Sequence, residues 1–327
     1  MNTKLRYVFL AALIIMIGIS KAQEKVLDFP VLKGPYLGQS PPGLNPEIFL
    51  PGLVSTELNE HGAPAFSPDL SEIYWSPQYK EIGGGKIIFM KAVDSQWLAP
   101  ETAPFSEEFK NQNPFLSLDG ERLFFKSFRP TEADVYKNGA FWVCQRTPEG
   151  WSVPRPLDSS VNSGSMGQQI TESRDRNLYY ASGHPGGKGY WDIYKVSYDT
   201  GFYGKPENLG DAINTEFYDG SPYIAPDEDH IIFSSISCPD GYGGSDLYIS
   251  FKNRDGSWLK ATNLGPVINT VKHESFPLVS PDGNYLFFNS NRPSSLNQKP
   301  IEDGPGNIYW VKTTFIEELK EASSDAH

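Results

Sequence analysis

Short runs of strand-forming residues, broken by turn signals, recur along most of this chain. Their spacing is that of strands, not of amphipathic helices, which would repeat apolar residues every three and four positions. One block appears five times. It reads PAFSPDLSEIYWS from Pro64, PFLSLDGERLFFKS from Pro114 and ITESRDRNLYYAS from Ile170, then PYIAPDEDHIIFSS from Pro222 and PLVSPDGNYLFFNS from Pro277. Each block predicts a strand, a tight turn holding Asp69, Asp119, Asp175, Asp227 or Asp282, and a second, aromatic or β-branched strand. A third strand follows at 86–90, 140–144, 192–196, 246–250 and 307–311, after a Gly-bearing loop. A fourth is expected around Trp97, Trp151, Phe202 and Trp258.

Four strands per block of about 50 residues is the unit of a propeller blade. The fifth block stops after three strands. The segment PEIFLPGLVST at 46–56 lies where a fourth strand would precede the first block, with Phe49 about as far from Asp69 as Trp97 is from Asp119. The chain is therefore predicted to be all-β, a five-bladed β-propeller closed by an N-terminal strand at 47–55. That strand would cover an otherwise open sheet edge. A six-bladed ring is the alternative, and would need most of a blade within the Pro- and Gly-rich stretch 23–46. Blades are expected at 61–105, 111–157, 166–212, 219–267 and 274–314, inside a propeller spanning 47–314, with a polar C-terminal tail at 315–327.

The first 22 residues read as a signal peptide. Lys4 and Arg6 precede the apolar run Tyr7 to Ile19, and Ser20-Lys21-Ala22 offers a cleavage site ahead of Gln23. A periplasmic or secreted protein is expected, with no membrane span once the signal is cleaved. Cys144 and Cys238 fall in non-adjacent blades, so no disulfide is expected. With 28 basic and 40 acidic residues the net charge is −12, which argues against nucleic acid or an anionic membrane as partner. A monomer is expected.

The motifs SPD at 67–69, APD at 225–227 and SPDG at 280–283 with LFFNSNR after it, and the DIY and DLY starts at 192 and 246, resemble the WD40-like repeats of TolB-type propeller proteins of the bacterial cell envelope. GPYLGQSPPGLNPEIF at 34–49 resembles the entry segment of stand-alone bacterial proteins of that type. The resemblance implies the propeller fold. It leaves function open, since such propellers serve binding modules, peptidases and lyases alike.

The turn aspartates read as local caps. Functional residues are expected on the opposite face, where the links between blades and the loops after the second strands meet the central channel. One position there holds His61, Asn111, Gly167, Asp219 and Glu274 around the ring, beside His273. The matching loops carry Arg129, His184 and Arg292, and Asp192 and Asp246 open third strands. These form the candidate ligand site, with Asp219 and Glu274 as the candidate acid and base. Arg129 and Arg292 would either clamp an anion or anchor their own loops. His61, His273, Asp219 and Glu274 have the ligand types for a divalent cation but no ligand spacing, so no metal site and no cofactor are assigned. No nucleophile elbow, Walker loop or Cys/His pair occurs in the sequence.

Two functions follow from this reading. The first is a binding module that recognises an envelope protein or a glycan through the channel mouth. The second is a carbohydrate-active enzyme, a lyase or glycoside hydrolase, acting at the same mouth. Tyr190, Trp191 and Tyr242 lie near these loops and have the surfaces to stack on sugar rings.

Overall fold

The Asp-bearing turns show how the repeat is built. In all five, a backbone bond closes the turn, as from Leu70 N to Ser67 O (2.9 Å) and from Gly283 N to Ser280 O (2.8 Å). The residue after each Asp takes a left-handed backbone: Leu70, Gly120, Arg176, Glu228 and Gly283, with φ from 58° to 76°. Asp69, Asp119 and Asp282 accept the hydroxyl of the serine two residues earlier. These three aspartates are local caps, as expected.

The computed structural model describes residues 29–79, 84–130, 139–163, 166–293 and 306–325. Residues Val31–His327 form one compact unit, an all-β five-bladed propeller. From the inner strand outwards, blade 2 runs Asn111–Leu116, Arg122–Ser127, Ala140–Thr147 and Arg155–Pro156. Blade 3 is Met166–Glu172, Leu178–Ser182, Asp192–Val196 and Glu207–Asn208, and blade 4 is Tyr218–Ile224, His230–Ile236, Ser245–Phe251 and Thr262–Asn263. Blade 1 has Ala65–Phe66, Glu72–Trp75, Ile88–Val93 and Glu101–Thr102. The six-bladed alternative is not what the chain adopts.

Blade 5 supplies Glu274–Val279, Tyr285–Ser290 and Asn307–Lys312, and its outer strand is Glu47–Ile48. Glu47 pairs with Trp310 and Ile48 with Tyr309. Phe49 follows, fully buried, donating its N–H to Ile308 O at 2.8 Å, with ring centroids 5.1 Å from both Phe287 and Trp310. The Tyr36 ring packs on the same cluster, and its hydroxyl donates to Asp282 Oδ1 at 2.7 Å. The N-terminal strand closes the ring where the sequence pattern places it.

The fourth strands need a correction. Trp97, Trp151 and Phe202 sit in hairpins that extend the third strand, pairing Ala92 with Trp97, Arg146 with Trp151 and Asp199 with Phe202. The outer strands come a few residues later. The true counterparts of Phe49 are Ala103, Leu157, Leu209 and Leu264, each donating its N–H to the carbonyl at the same point of its third strand. The pairing of the closing segment holds although the aromatic matched to Phe49 belongs to another element.

Between blades, polar side chains near the Asp-turn face bridge neighbours. Arg122 meets Glu172 at 2.6 Å, Arg146 meets Glu72 at 2.8 Å, and Lys195 meets Glu228 at 2.9 Å. The segment after blade 5 is a helix, Phe315–Asp325, with Ile316 buried and Lys320 paired to Asp229 at 2.6 Å. No helix of the described residues is long and apolar enough to cross a membrane.

Candidate functional site

The polar ring at the channel mouth is largely occupied by the fold. In blades 1, 4 and 5 a carboxylate at the start of the inner strand clasps a threonine of the link before it. Asp219 Oδ2 accepts the N–H and hydroxyl of Thr215 at 2.7 and 2.8 Å, and its Oδ1 accepts the Ser235 hydroxyl at 2.6 Å. Glu274 repeats the arrangement with Thr270 and Ser290, and accepts Arg292 at 3.3 Å. Both carboxylates are fully buried. Burial raises the Asp219 carboxyl, and the Ser235 and Thr215 bonds pull it back only in part.

Glu60, not His61, holds this position in blade 1. It accepts the Thr56 N–H and hydroxyl at 3.0 and 2.6 Å, and pairs with Pro77 as Asn111 pairs with Ser127 and Asp219 with Ser235. In blade 3 the position is Met166, opposite Ser182, not Gly167. The cause is bulge length. Blade 2 spends three residues (Gln112 to Phe115) where its partner spends two (Lys126 to Phe124). Blade 3 spends four (Met166 to Ile170) against two (Ser182 to Tyr180). Blade 1 spends five (Glu60 to Ala65) against three (Pro77 to Tyr74). Counting back from the turn aspartate therefore lands one residue late in blades 1 and 3.

His61 instead turns against the Phe276 ring, centroids 4.8 Å apart, with Nδ1 3.1 Å from Asn113 Oδ1. Burial holds its pKa down at about 4, with Lys126 and Lys110 adding to the effect against the Asn113 bond. Asn111 is buried and donates to Ser106 Oγ and Phe109 O. Asp192 accepts the Lys188 and Gly189 N–H groups, and Asp246 the Tyr242 N–H, so both shape the loops before their strands.

Arg129 and Arg292 are equivalent anchors. Each donates Nε to its own loop serine at 2.9 Å and its terminal nitrogen to a carbonyl of the preceding link, Phe105 O or Ile268 O. Each guanidinium also lies on an aromatic ring, Trp142 at 5.0 Å and Tyr309 at 4.8 Å. These contacts match loop anchoring. His184 stands edge-on to Tyr194 at 4.8 Å, and His273 is exposed. The structure brings Arg129 to Asn111 and Arg292 to Glu274, puts His184 and Asp192 in blade 3 and Asp219 and Asp246 in blade 4, and leaves His61 in blade 1. Among the described residues, no group of three or more His, Cys, Asp or Glu side chains is placed to hold a metal.

What the mouth presents outward is aromatic. Tyr190, Trp191 and Tyr218 form one platform at the junction of blades 3 and 4. Tyr190 lies 6.3 Å from Trp191 and 6.5 Å from Tyr218, with interplanar angles of 23° and 18°. Trp191 and Tyr218 are 4.9 Å apart. Tyr190 is 78% exposed. Backbone bonds fix the platform: Tyr190 N donates to Phe217 O at 2.9 Å, and Asp219 N to Trp191 O at 3.0 Å. Gly189 is required here, because a Cβ at that position would lie 1.9 Å from Phe217 O. Tyr218 is the member of this platform that repeat counting did not single out.

Beside the platform, a cavity of about 290 Å³ opens between residues 211–219 and the loop after the second strand of blade 4. Ala212, Pro239 and Ala261 give it an apolar surface over the buried Ile213 and Phe233, and Asp211, Asp219, Asp240 and Lys260 are its charged lining residues.

No family model and no curated protein matches the sequence. Solved structures match in fold. The catalytic domain of the GH62 α-L-arabinofuranosidase of Coprinopsis cinerea aligns over 84% of this chain and 99% of its own, at 10% identity and a TM-score of 0.52. A structure described as a glycoside hydrolase aligns over 86% and 92%, at 12% identity and a TM-score of 0.50. An endo-arabinase of Bacteroides thetaiotaomicron aligns over 80% and 96%, at 16% identity and a TM-score of 0.46. At these identities the likeness to the first two is one of fold: the chain shares their β-propeller architecture.

Proposed function

We propose that this protein is an exported propeller that binds a glycan through its channel-mouth face. The observation that carries this reading is the Tyr190–Trp191–Tyr218 platform, rigidly seated with its outermost ring 78% exposed. A monomeric protein gains nothing in stability by holding a large aromatic ring in water, so such a surface points to a partner. A flat stack of rings suits the apolar face of a sugar while leaving its hydroxyls to polar neighbours. The signal-like N-terminus and the TolB-type repeat motifs support a place in the cell envelope or outside it.

A second reading, a glycoside hydrolase, is favoured by what the fold's neighbours are named to do. Hydrolysis of this kind uses two carboxyl groups flanking the glycosidic bond. Asp219 and Glu274 are buried with their oxygens taken by threonine, serine and backbone groups, and Asp219, which also lines the cavity beside the platform, keeps both oxygens in those bonds. That bonding counts against these two carboxylates as acid and base, while the fold neighbours support cleavage by other residues of the same face.

Affinity electrophoresis of the purified protein through gels containing plant and bacterial polysaccharides, with a reducing-end assay on the same glycans, tests this. Retardation by at least one glycan without new reducing ends is expected. Release of reducing ends would establish the enzyme, and uniform migration in every gel would remove the glycan altogether.

A further inference from the structure

The cavity next to the platform has a composition that selects its ligand. Its wall is apolar, and its rim carries charges of both signs. Asp211 is paired with Lys188 at 2.8 Å, and Asp240 accepts the Tyr248 hydroxyl at 2.8 Å through one oxygen, with Lys260 on the same rim. Asp219 also lines the cavity, but both its oxygens are already bonded to Thr215 and Ser235, and Asp211 is neutralised by Lys188 outside the lining, so Asp240 and Lys260 are the charges left to a ligand. A cation entering would meet Lys260, and an anion would meet Asp240. A neutral polyol meets neither conflict, because each hydroxyl both donates to a carboxylate and accepts from a lysine. The volume lies just below the range of about 300–1,000 Å³ typical of small-molecule pockets, which suits one ring, not an oligomer.

We propose that this cavity is a pocket for one neutral sugar ring, its apolar face on Ala212, Pro239 and Ala261 and its hydroxyls on Asp240 and Lys260. The proposal rests on the carbohydrate reading of this face and sharpens it. The segment 211–219 builds one wall of the cavity and also contributes Tyr218 to the platform. A chain stacked on the platform would therefore place an end ring or a branch ring in the pocket.

Cys238 gives the test a direct readout. Its thiol lines the cavity, 3.0 Å from Ser235 Oγ, whereas Cys144 is fully buried. Burial raises the Cys238 thiol above its usual value, so labelling runs best at mildly alkaline pH. The native protein is treated with N-ethylmaleimide, and the mass increase is followed with and without single sugars. Xylose, arabinose, galactose and glucose serve as neutral probes, with glucuronate and ethylammonium as charged ones. At a concentration of ten times Kd, a bound ligand slows labelling about tenfold. At least one neutral sugar is expected to do this, and Asp240→Asn and Lys260→Met, both at exposed positions, are expected to remove the protection with an unchanged circular dichroism spectrum.

Protection by glucuronate or ethylammonium alone would overturn the proposal. So would the absence of protection by every sugar, or protection that survives both substitutions. The two readings fail separately. Tyr190-dependent polysaccharide binding without Cys238 protection removes the pocket and keeps the platform. Protection without such binding does the reverse.

Discussion

Ile48 and Tyr309 are antiparallel neighbours, so the outer strand of the last blade comes from the start of the folded unit. Without it, the Asn307–Lys312 strand would present an unpaired edge. Phe49 locks the pair by filling the space between Phe66, Phe287 and Trp310. Phe49→Ala should cost about 3–5 kcal/mol, the range for buried Phe truncations. Removing residues 23–56 should leave a chain that aggregates or lacks a cooperative transition. Urea unfolding followed by tryptophan fluorescence checks both, and a truncated chain with wild-type stability would refute the closure argument.

Glu274 is expected to act as a structural clasp. Glu274→Ala orphans the Thr270 N–H and the Ser290 hydroxyl in a buried site, at about 1–3 kcal/mol for each unsatisfied group. The midpoint of urea unfolding should fall accordingly while retardation by glycans is retained. A variant of unchanged stability that no longer binds would return Glu274 to the binding site.

His61 makes a pH prediction. Its folded pKa of about 4 lies below the value of about 6.5 for an unfolded histidine. The unfolded chain then binds the proton more readily, so this residue's contribution is present above pH 6.5 and lost as the pH falls towards 4. In thermal melts across this window, His61→Asn should lose less stability than the wild type. Parallel curves for the two proteins would show that the imidazole does not titrate as described.

The blade count and the closing strand could be read from the sequence because the Asp-bearing turn recurs with little variation. Asp69, Asp119, Asp175, Asp227 and Asp282 fix the register of the first two strands in every block. The outer strands were harder to place. Each is two residues long outside the hairpin extension, and its pairing depends on backbone bonds such as Leu209 N to Ile193 O, which leave no composition signal.

The polar ring is legible as a set, and the hydrogen bonds of its carboxylates come from a repeated local pattern. Asp219 and Glu274 recur with a threonine four residues before each, at Thr215 and Thr270, and the same spacing joins Thr56 to Glu60. That repeated pair is the sequence signature of a link clasp, and it would have moved the blade 1 position from His61 to Glu60. The cavity beside Cys238 had no such signal. Its lining is assembled from the link before blade 4 and several separate stretches of blade 4, and only their packing brings them together.

The exposed aromatic stack is the element on which the functional account turns, and Tyr190→Ala tests it most directly. This position is at the surface, so the variant should fold and melt like the wild type. Isothermal titration with whichever glycan retards the native protein should then show affinity falling by tenfold or more, as loss of a ring–ligand contact worth about 1.4 kcal/mol would give. Unchanged affinity in Tyr190→Ala and in Trp191→Ala alike would contradict the account and move the glycan to another face.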